Sequence, residues 1–371
     1  MHQKFLIALI LSLLFIQANA QLRQIHSNLS IEGNNIKRIS FYTPSTGYIA
    51  STGNPHDWIG YTTDSGRTLT KREITLTNVD YGTYSVNLTF GFMIEGVVAF
   101  DANNVLAYGN YGYVPAILKS SNGGLSYQLV YHNPIGPNIF SSLFNLVFPQ
   151  NNQTGYAVDG YNILKTTNGG TTWTRVYTGS TFSIGQLDAI DNNTVFAFSD
   201  DESATASTGK LIKTTNAGNS WTQLNTPDNR IYAADFLTPE KGWLNVYLNA
   251  DSLLIYYTST GGVTWTKKNM AAVNPIGFHR MHFVDDSTGY GVANLFYTFK
   301  TSDSGRIWEP LPRDNSFNYL NYGHTEIHFA NSSQFWSAGA REFIELTTNG
   351  GGVPLPRAYF TIDTSGLYQT G

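Results

Sequence analysis

Histidine and carboxylate side chains recur at short spacing near the C-terminal end of the chain. His324, Glu326 and His328 alternate with single residues, so in a strand they would share one face. Imidazole nitrogen and carboxylate oxygen are ordinary metal ligands, which makes a metal site one interpretation. The other interpretation is that these side chains line a wet channel and hydrogen-bond one another. We adopt the second and expect neither a metal nor another cofactor.

Three carboxylates suggest a second possible chemistry, the hydrolysis of glycosidic bonds. Glycosidases place two carboxylates about 5 to 10 Å apart across the scissile bond. Asp188, Asp235 and Glu326 are well separated in the sequence, and only the fold decides whether they converge. The chain has no cysteine and no Gly-x-Ser-x-Gly segment, which argues against thiol and serine nucleophiles. We therefore assign no catalytic residue and keep a glycoside hydrolase as the alternative function.

A repeated motif predicts the elements that position these side chains. Each repeat contains short β-branched and aromatic runs separated by Gly, Asn and Asp, and sustained helical periodicity is absent. Four such strands per repeat predict an all-β fold, a seven-bladed β-propeller of four-stranded antiparallel blades. Variants of Thr-Thr-Asn-Gly-Gly-x-Thr-Trp, 43 to 58 residues apart, begin at Thr62, Ser120, Thr166, Thr214, Thr258, Thr301 and Thr347.

The motif itself is predicted to be a structural turn. Its Asp or Asn accepts hydrogen bonds from nearby backbone N–H groups, and the glycine at its fifth position supplies a positive φ. The Trp that follows is expected to pack between blades. The residues assigned to this structural role are Asp64, Gly66, Asn122, Gly124, Asn168, Gly170, Trp173, Asn216, Gly218, Trp221, Gly262, Trp265, Asp303, Gly305, Trp308, Asn349 and Gly351.

This motif resembles the Asp-box, or bacterial neuraminidase repeat, Ser/Thr-x-Asp-x-Gly-x-Thr-Trp. The whole repeat, with a Gly-Tyr pair before Thr-Thr-Asn-Gly-Gly-Thr-Thr-Trp, is similar to the photosystem II assembly and stability factor family. Sortilin-type and xyloglucanase-type propellers are similar more loosely. The resemblance covers residues 22–356 and implies a fold rather than a function. Sialidases of this type have fewer blades and an Arg-Ile-Pro motif where this chain has Arg38-Ile39-Ser40.

The two ends of the repeat predict how the ring closes. In the seventh copy Pro354 stands near the position of the Trp, and proline is a poor residue for a hydrogen-bonded strand. The last blade therefore lacks a fourth strand of its own. Residues 22–27 begin Leu-Arg-Gln-Ile, which resembles Trp-Thr-Gln-Leu at 221–224. We expect these N-terminal residues to complete the last blade.

The first residues have the form of a secretory signal peptide. Lys4, a short apolar run and an Ala-Asn-Ala end predict cleavage after Ala20 and a secreted or cell-surface protein. We accordingly divide the chain into a signal peptide at 1–20 and a propeller domain at 21–356. Residues 357–371 are interpreted as a linker or the truncated start of an immunoglobulin-like module.

The composition limits the partners. A net charge of −4 with 13% charged residues and no basic stripe argues against nucleic acid. No later segment approaches the roughly 18 apolar residues of a membrane span, so we expect no membrane insertion after cleavage. A neutral, Tyr-rich surface suits a protein or glycan ligand, held by a monomer at its axial face. The candidate binding residues are Arg38, Asp188, Arg230, Asp235, His279, Arg280, His282, His324, Glu326 and His328.

Overall fold

The computed structural model is built from β-strands. It describes residues 22–26, 34–53, 56–74, 92–111, 114–133, 143–150, 152–179, 184–199, 211–227, 230–249, 252–268, 277–293, 297–312 and 324–351. Within these ranges 28 strands form seven four-stranded antiparallel sheets, which confirms the predicted seven-bladed propeller. These residues include no helix able to span a membrane. The predicted signal peptide and the segment 357–371 lie outside the described residues.

Each of the first six blades is one sheet in which the strands follow chain order. Blade 1 contains β2 (Ile36–Phe41), β3 (Gly47–Ser51), β4 (Trp58–Thr62) and β5 (Thr70–Glu73). Blade 2 contains β6 (Phe92–Ala99), β7 (Val105–Tyr111), β8 (Val114–Ser120) and β9 (Gln128–His132). Blade 3 contains β10 (Leu143–Val147), β11 (Gly155–Asp159), β12 (Asn162–Thr166) and β13 (Thr174–Thr178).

The remaining blades repeat the pattern, and the first strands of neighbouring blades contact one another around the axis. Blade 4 contains β14 (Gln186–Ala189), β15 (Val195–Phe198), β16 (Leu211–Thr214) and β17 (Thr222–Leu224). Blade 5 contains β18 (Arg230–Phe236), β19 (Gly242–Asn249), β20 (Ser252–Thr258) and β21 (Thr266–Lys268). Blade 6 contains β22 (Phe278–Phe283), β23 (Gly289–Ala293), β24 (Thr298–Thr301) and β25 (Glu309–Pro310). Blade 7 contains β26 (His324–Phe329), β27 (Phe335–Gly339), β28 (Ile344–Thr347) and β1 (Arg23–His26).

The N-terminal strand closes the ring, as predicted. β1 pairs antiparallel with β28, and Arg23 lies opposite Leu346. Leu22, just before β1, is fully buried in a cluster that contains Tyr290 of blade 6 and Phe335 of blade 7. Because β1 pairs with β28, the last blade has four strands like the others. Its outermost strand, however, comes from the N-terminal end of the chain.

The repeated motif forms the same turn in all seven blades. The hydroxyl of its first residue accepts a hydrogen bond from the N–H of the fifth-position glycine at 2.8 to 3.0 Å. Those glycines have φ between +71° and +94°, as the sequence predicts. The fourth-residue N–H donates to a carbonyl in the turn between the first two strands of the same blade, at 2.6 to 3.0 Å. The motif thus joins two turns at one end of each blade.

Aromatic side chains tie neighbouring blades together at that same end. The hydroxyl of Tyr156 donates to the carbonyl of Asn192 at 2.7 Å, and the indole N–H of Trp336 donates to the carbonyl of Ser65 at 2.9 Å. Of the motif tryptophans, Trp308 is buried in a cluster shared by blades 5 and 6. This end of the propeller is therefore occupied by structural contacts.

A single substitution in one of these turns is expected to increase the stability of the protein. The fourth motif residue is left-handed in every copy, and in the fourth copy it is Ala217, with φ +60°. A left-handed conformation is costly for residues other than glycine. We expect Ala217→Gly to raise the free energy of unfolding by about 0.5 to 1 kcal/mol in urea denaturation. Gly169→Ala, at the same position of the third copy, should lower it, and a loss of stability in Ala217→Gly would contradict the argument.

Candidate functional site

A β-bulge recurs in the innermost strand and sets which side chains face the axis. In six blades the register shifts at the same place, for example between Ile36 and Arg38 in β2 and between Phe278 and Arg280 in β22. Bulges re-aim the residues next to them. From the strand register, the first ring, just after the bulge, is Arg38, Gly96, Asn145, Gln186, Ala233, Arg280 and Glu326. The second ring, two residues later, is Ser40, Val98, Val147, Asp188, Asp235, His282 and His328.

Both rings contribute to a cavity of about 310 Å³ on the axis. Ligand pockets usually measure roughly 300 to 1,000 Å³, so this cavity holds one side chain or one sugar ring rather than an extended ligand. Six of the ten predicted binding residues line it, namely Arg38, Asp188, Asp235, Arg280, Glu326 and His328. The three carboxylates that are far apart in sequence therefore do converge on one cavity.

One side of the cavity is an ion-pair cluster that joins blades 6, 7 and 1. Glu326 is only 6% exposed, and its Oε2 lies 2.7 Å from Nη1 of Arg38 and 3.6 Å from Nε of Arg280. Burial opposes the charge on Arg38, but attraction and hydrogen bonding by Glu326 and Tyr108 together outweigh it, so the pKa of Arg38 is raised. This cluster places two guanidinium groups around a single carboxylate.

Two aspartates, Asp188 and Asp235, lie on the side of the cavity formed by blades 4 and 5. Asp188 Oδ2 accepts the N–H of Phe236 at 2.5 Å, and Asp235 Oδ2 accepts the N–H of Phe283 at 2.6 Å. Asp235 Oδ1 also lies 3.2 Å from Nδ1 of His282. Burial, and then repulsion from Asp235, raises the pKa of Asp188 to about 8. Burial opposes protonation of His282, but the nearby Asp235 more than offsets it, so the pKa of His282 is raised.

Second-ring side chains also connect four of the blades to the next one. Besides the two aspartates, His328 accepts the N–H of Phe41 on Nε2 at 3.1 Å, and Ser40 Oγ accepts the N–H of Ala99 at 2.9 Å. Burial lowers the pKa of His328 to about 4. A histidine that accepts a hydrogen bond on Nε2 is neutral, which agrees with that direction. These groups therefore position the cavity wall as well as lining it.

The raised pKa of Asp188 has a consequence for stability. An aspartate with a folded-state pKa of about 8 and an unfolded value near roughly 3.9 favours the folded state when protonated. That contribution is complete below the unfolded value and is lost as the pH rises through about 8. We expect the free energy of unfolding to fall from about pH 4 to about pH 8 and to level off above that.

Urea denaturation across that range tests the role of Asp188. In Asp188→Asn the decline should be much shallower, because the amide does not ionise. The groups facing Asp188 are Asp235, His282 and the Phe236 N–H. Since the pKa of His282 is also raised, part of the decline should persist in the variant. An identical slope in the two proteins would show that Asp188 is ionised throughout.

The other predicted residues occupy different positions. His282 pairs with Asp235 beside the cavity, and His279 is the bulged residue of β22, with a buried Nε2 that has no partner among the residues described. Arg230 and His324 begin β18 and β26, but their side chains lie outside the described part of the chain.

The two-residue alternation on which a shared face of His324, Glu326 and His328 was predicted is interrupted in β26. The bulge between His324 and Glu326 breaks the two-residue period. Glu326 pairs with Arg38, and His328 accepts the Phe41 N–H, so both side chains bond to blade 1. Among the described residues, no three His, Asp or Glu side chains are grouped so as to hold a metal.

Sequence reasoning also missed polar residues that line the cavity, among them Tyr108, Asn145 and Gln186. Tyr108 comes from the second strand of blade 2, and its phenol is a hydrogen-bond neighbour of Arg38. Asn145 and Gln186 occupy the same register as Arg38 and Glu326. Counting back from the end of each innermost strand, in the register of Arg38, would have identified Asn145 and Gln186.

Comparison with known proteins places the fold. No protein-family profile and no curated protein matches the chain. A structure of YCF48 bound to D1 peptide is 16% identical, with a TM-score of 0.64 over 89% of this chain and 96% of that one. YCF48 from Cyanidioschyzon merolae is 16% identical, with a TM-score of 0.63 over 88% of this chain and 98% of that one.

A GH74 enzyme from Niastella koreensis is also similar, at 16% identity and a TM-score of 0.56. The match covers 86% of this chain but only 52% of the enzyme. At such low identities these similarities show the fold alone. YCF48 and the GH74 propellers are thus structural neighbours of this seven-bladed β-propeller.

Proposed function

We propose that this protein is a non-catalytic binding module that holds a segment of another protein at its axial face. The observation that carries the proposal is the cavity of about 310 Å³ at the axis, lined by charged side chains of both signs. Small, concave sites with a few convergent polar groups are the usual form of binding sites. The YCF48 propeller bound to D1 peptide supports a peptide ligand, since it has the same fold.

The lining favours a protein group over a sugar. Sugar rings pack against exposed aromatic faces, and the only aromatic side chains among the lining residues are Tyr108 and His328. Tyr108 is 1% exposed, and His328 is bonded to the Phe41 backbone. A wall of guanidinium, carboxylate and amide groups instead suits the charged and amide groups of a polypeptide.

The proposal includes the protein's setting. We place the propeller outside the cell, as a secreted or cell-surface domain at 21–356 that follows a signal peptide at 1–20. The segment 357–371 would connect it to a further module. Lys4, the apolar run that follows it and the Ala-Asn-Ala end support this assignment.

Selection from a random peptide display library, run beside a glycan array, tests the ligand class. The Gln186 side chain lines the cavity and makes no hydrogen bond to the residues described, so Gln186→Trp should fill the cavity without breaking a side-chain hydrogen bond. Peptides selected by the native protein should bind this variant at least tenfold more weakly. Leu125→Trp, at a 70% exposed position in the blade 2 motif turn, should leave binding unchanged. Peptides that bind both variants equally, or glycan binding alone, would overturn the proposal.

One observation favours a second candidate, a glycoside hydrolase. Asp188, with a pKa raised to about 8, lies beside Asp235 in a cavity that also contains Glu326. A protonated acid next to a second carboxylate is the arrangement that such enzymes use. A screen of fluorogenic glycosides separates the two functions. Turnover that is lost in both Asp235→Asn and Glu326→Gln would establish the hydrolase, and a clean negative would remove it.

A further inference from the structure

We propose that the side of the cavity formed by blades 3 and 4 binds the cationic end of a basic side chain, an arginine guanidinium or a lysine ammonium, from the bound protein segment. The cationic subsite consists of Asn145, Gln186 and Asp188. The inference rests on the proposed function and specifies which group of the ligand enters the cavity.

The polar groups of the cavity divide into a bonded half and an unbonded half. On blades 6, 7 and 1, Arg280, Glu326 and Arg38 are joined to one another. On blades 3 and 4, the side chains of Asn145 and Gln186 make no hydrogen bond to a described residue, Asn145 Oδ1 being buried without a partner there, and Asp188 uses only its Oδ2, on the Phe236 N–H. The cavity is therefore preformed on one side and has open hydrogen-bonding capacity on the other.

Asn145 is the independent sign that something binds there. Its side chain is 7% exposed, and its Oδ1 is buried without a partner in the described part of the chain. An unsatisfied buried polar group costs about 1 to 3 kcal/mol, and folded proteins contain few of them. A ligand that reaches the subsite can pair with this amide, since rotation by half a turn presents either its oxygen or its NH₂ group.

The available atoms select a cation rather than an anion. Asp188, once ionised, accepts through Oδ1 and adds its charge to that of the Asp235 carboxylate on the next blade, and the amides of Asn145 and Gln186 can each turn an oxygen toward the ligand. A guanidinium group presents five N–H donors in a fixed planar fork that matches a carboxylate together with neighbouring oxygens. An ammonium group offers three donors and fits the same acceptors less completely, so arginine should rank above lysine.

The negative charge of the cationic subsite develops on Asp188 when a cation binds. Buried beside Asp235, Asp188 is protonated at neutral pH, because its pKa is raised to about 8. A cation placed against Asp188 favours the carboxylate form. Binding at pH 7 should then release one proton from Asp188 to the buffer, and no bond other than this O–H is broken. Proton release distinguishes a cation at Asp188 from a ligand that merely fills the cavity.

The test uses peptides recovered from the library described above. We expect one position of the selected peptides to be arginine, or less often lysine. In synthetic copies, replacement of that arginine by citrulline, which keeps the shape and removes the charge, should weaken binding at least tenfold, and replacement by lysine should weaken it less. Asp188→Asn should weaken binding of the arginine peptide at least tenfold and should leave the citrulline peptide unaffected. Glu240→Gln, at an exposed turn between β18 and β19, should change neither.

Calorimetry in buffers of different ionisation enthalpy measures the proton. Native protein should release close to one proton per arginine peptide at pH 7, and Asp188→Asn should release none. Peptides that are excluded by Gln186→Trp but carry no preferred basic residue, or bind citrulline as well as arginine, would overturn this inference and leave the proposed function standing. If the library yields no peptide that depends on the cavity, the proposed function fails and this inference fails with it.

Discussion

Removal of residues 22–26 lowers the free energy of unfolding by about 5 kcal/mol or more, the largest loss expected for any short deletion in this chain. The deletion exposes the whole length of β28, which then becomes an unpaired edge strand. It also empties the site of Leu22, which is fully buried between blades 6 and 7. Urea denaturation, followed by tryptophan fluorescence, measures the loss.

Point substitutions separate the two contributions. Leu22→Ala should cost about 2 to 5 kcal/mol, because it leaves a cavity in a packed cluster. Arg23→Ala, on the exposed side of the adjacent position, should change the stability by less than about 0.5 kcal/mol. If Leu22→Ala were as mild as Arg23→Ala, the strand would contribute through its backbone pairing alone. If the deletion itself left the unfolding curve unchanged, the closure of the ring by β1 would be refuted.

The sequence predicted the fold well because the fold is repeated. The motif needs a hydroxyl at its first position and glycine at its fifth, and both requirements arise from hydrogen bonds made within the turn itself. Local requirements of this kind are readable from a sequence. The closure was predictable for the same reason, since Pro354 marks the blade whose outer strand is missing.

The site was predicted less completely because it depends on register. The bulges that aim Arg38 and Glu326 into the cavity have no glycine or proline to mark them. In blade 4 the nearest large hydrophobic counterpart of Phe236 in the sequence is Ile190, whereas the strand register makes Ala189 its equivalent. That shift of one residue concealed Gln186, because each step along a strand exchanges the two faces.

Convergence of the carboxylates could not be predicted from sequence at all. Asp188, Asp235 and Glu326 meet only because seven blades close into a ring around one axis. Nor could the sequence show which of them is paired. The partners of Glu326 come from the first and sixth blades, on either side of the seventh, and only the closed ring makes them its neighbours.

Glu326→Ala is expected to lower the free energy of unfolding by about 3 to 5 kcal/mol. The substitution leaves the guanidinium groups of Arg38 and Arg280 close together with no carboxylate between them, and loss of one partner from a buried ion pair leaves an uncompensated charge. Glu240→Ala, which removes an exposed glutamate, should cost less than about 0.5 kcal/mol. Equal effects of the two substitutions would mean that solvent already screens the Glu326 cluster.

The combined replacement Arg38→Met, Arg280→Met and Glu326→Leu tests whether the charges of the cluster are needed for stability or for ligand binding. Apolar replacement of a complete buried ion cluster is often neutral or stabilising, so the triple variant should recover most of the stability that Glu326→Ala loses. If it recovers that stability and still fails to bind the selected peptides, the charges serve the ligand rather than the fold. If the triple variant is as unstable as Glu326→Ala, the cluster contributes to the stability of the closed ring, and mutations in it cannot be used to map the binding site. Unfolding and peptide binding measured on the same four proteins, with the native chain as reference, decide between these outcomes.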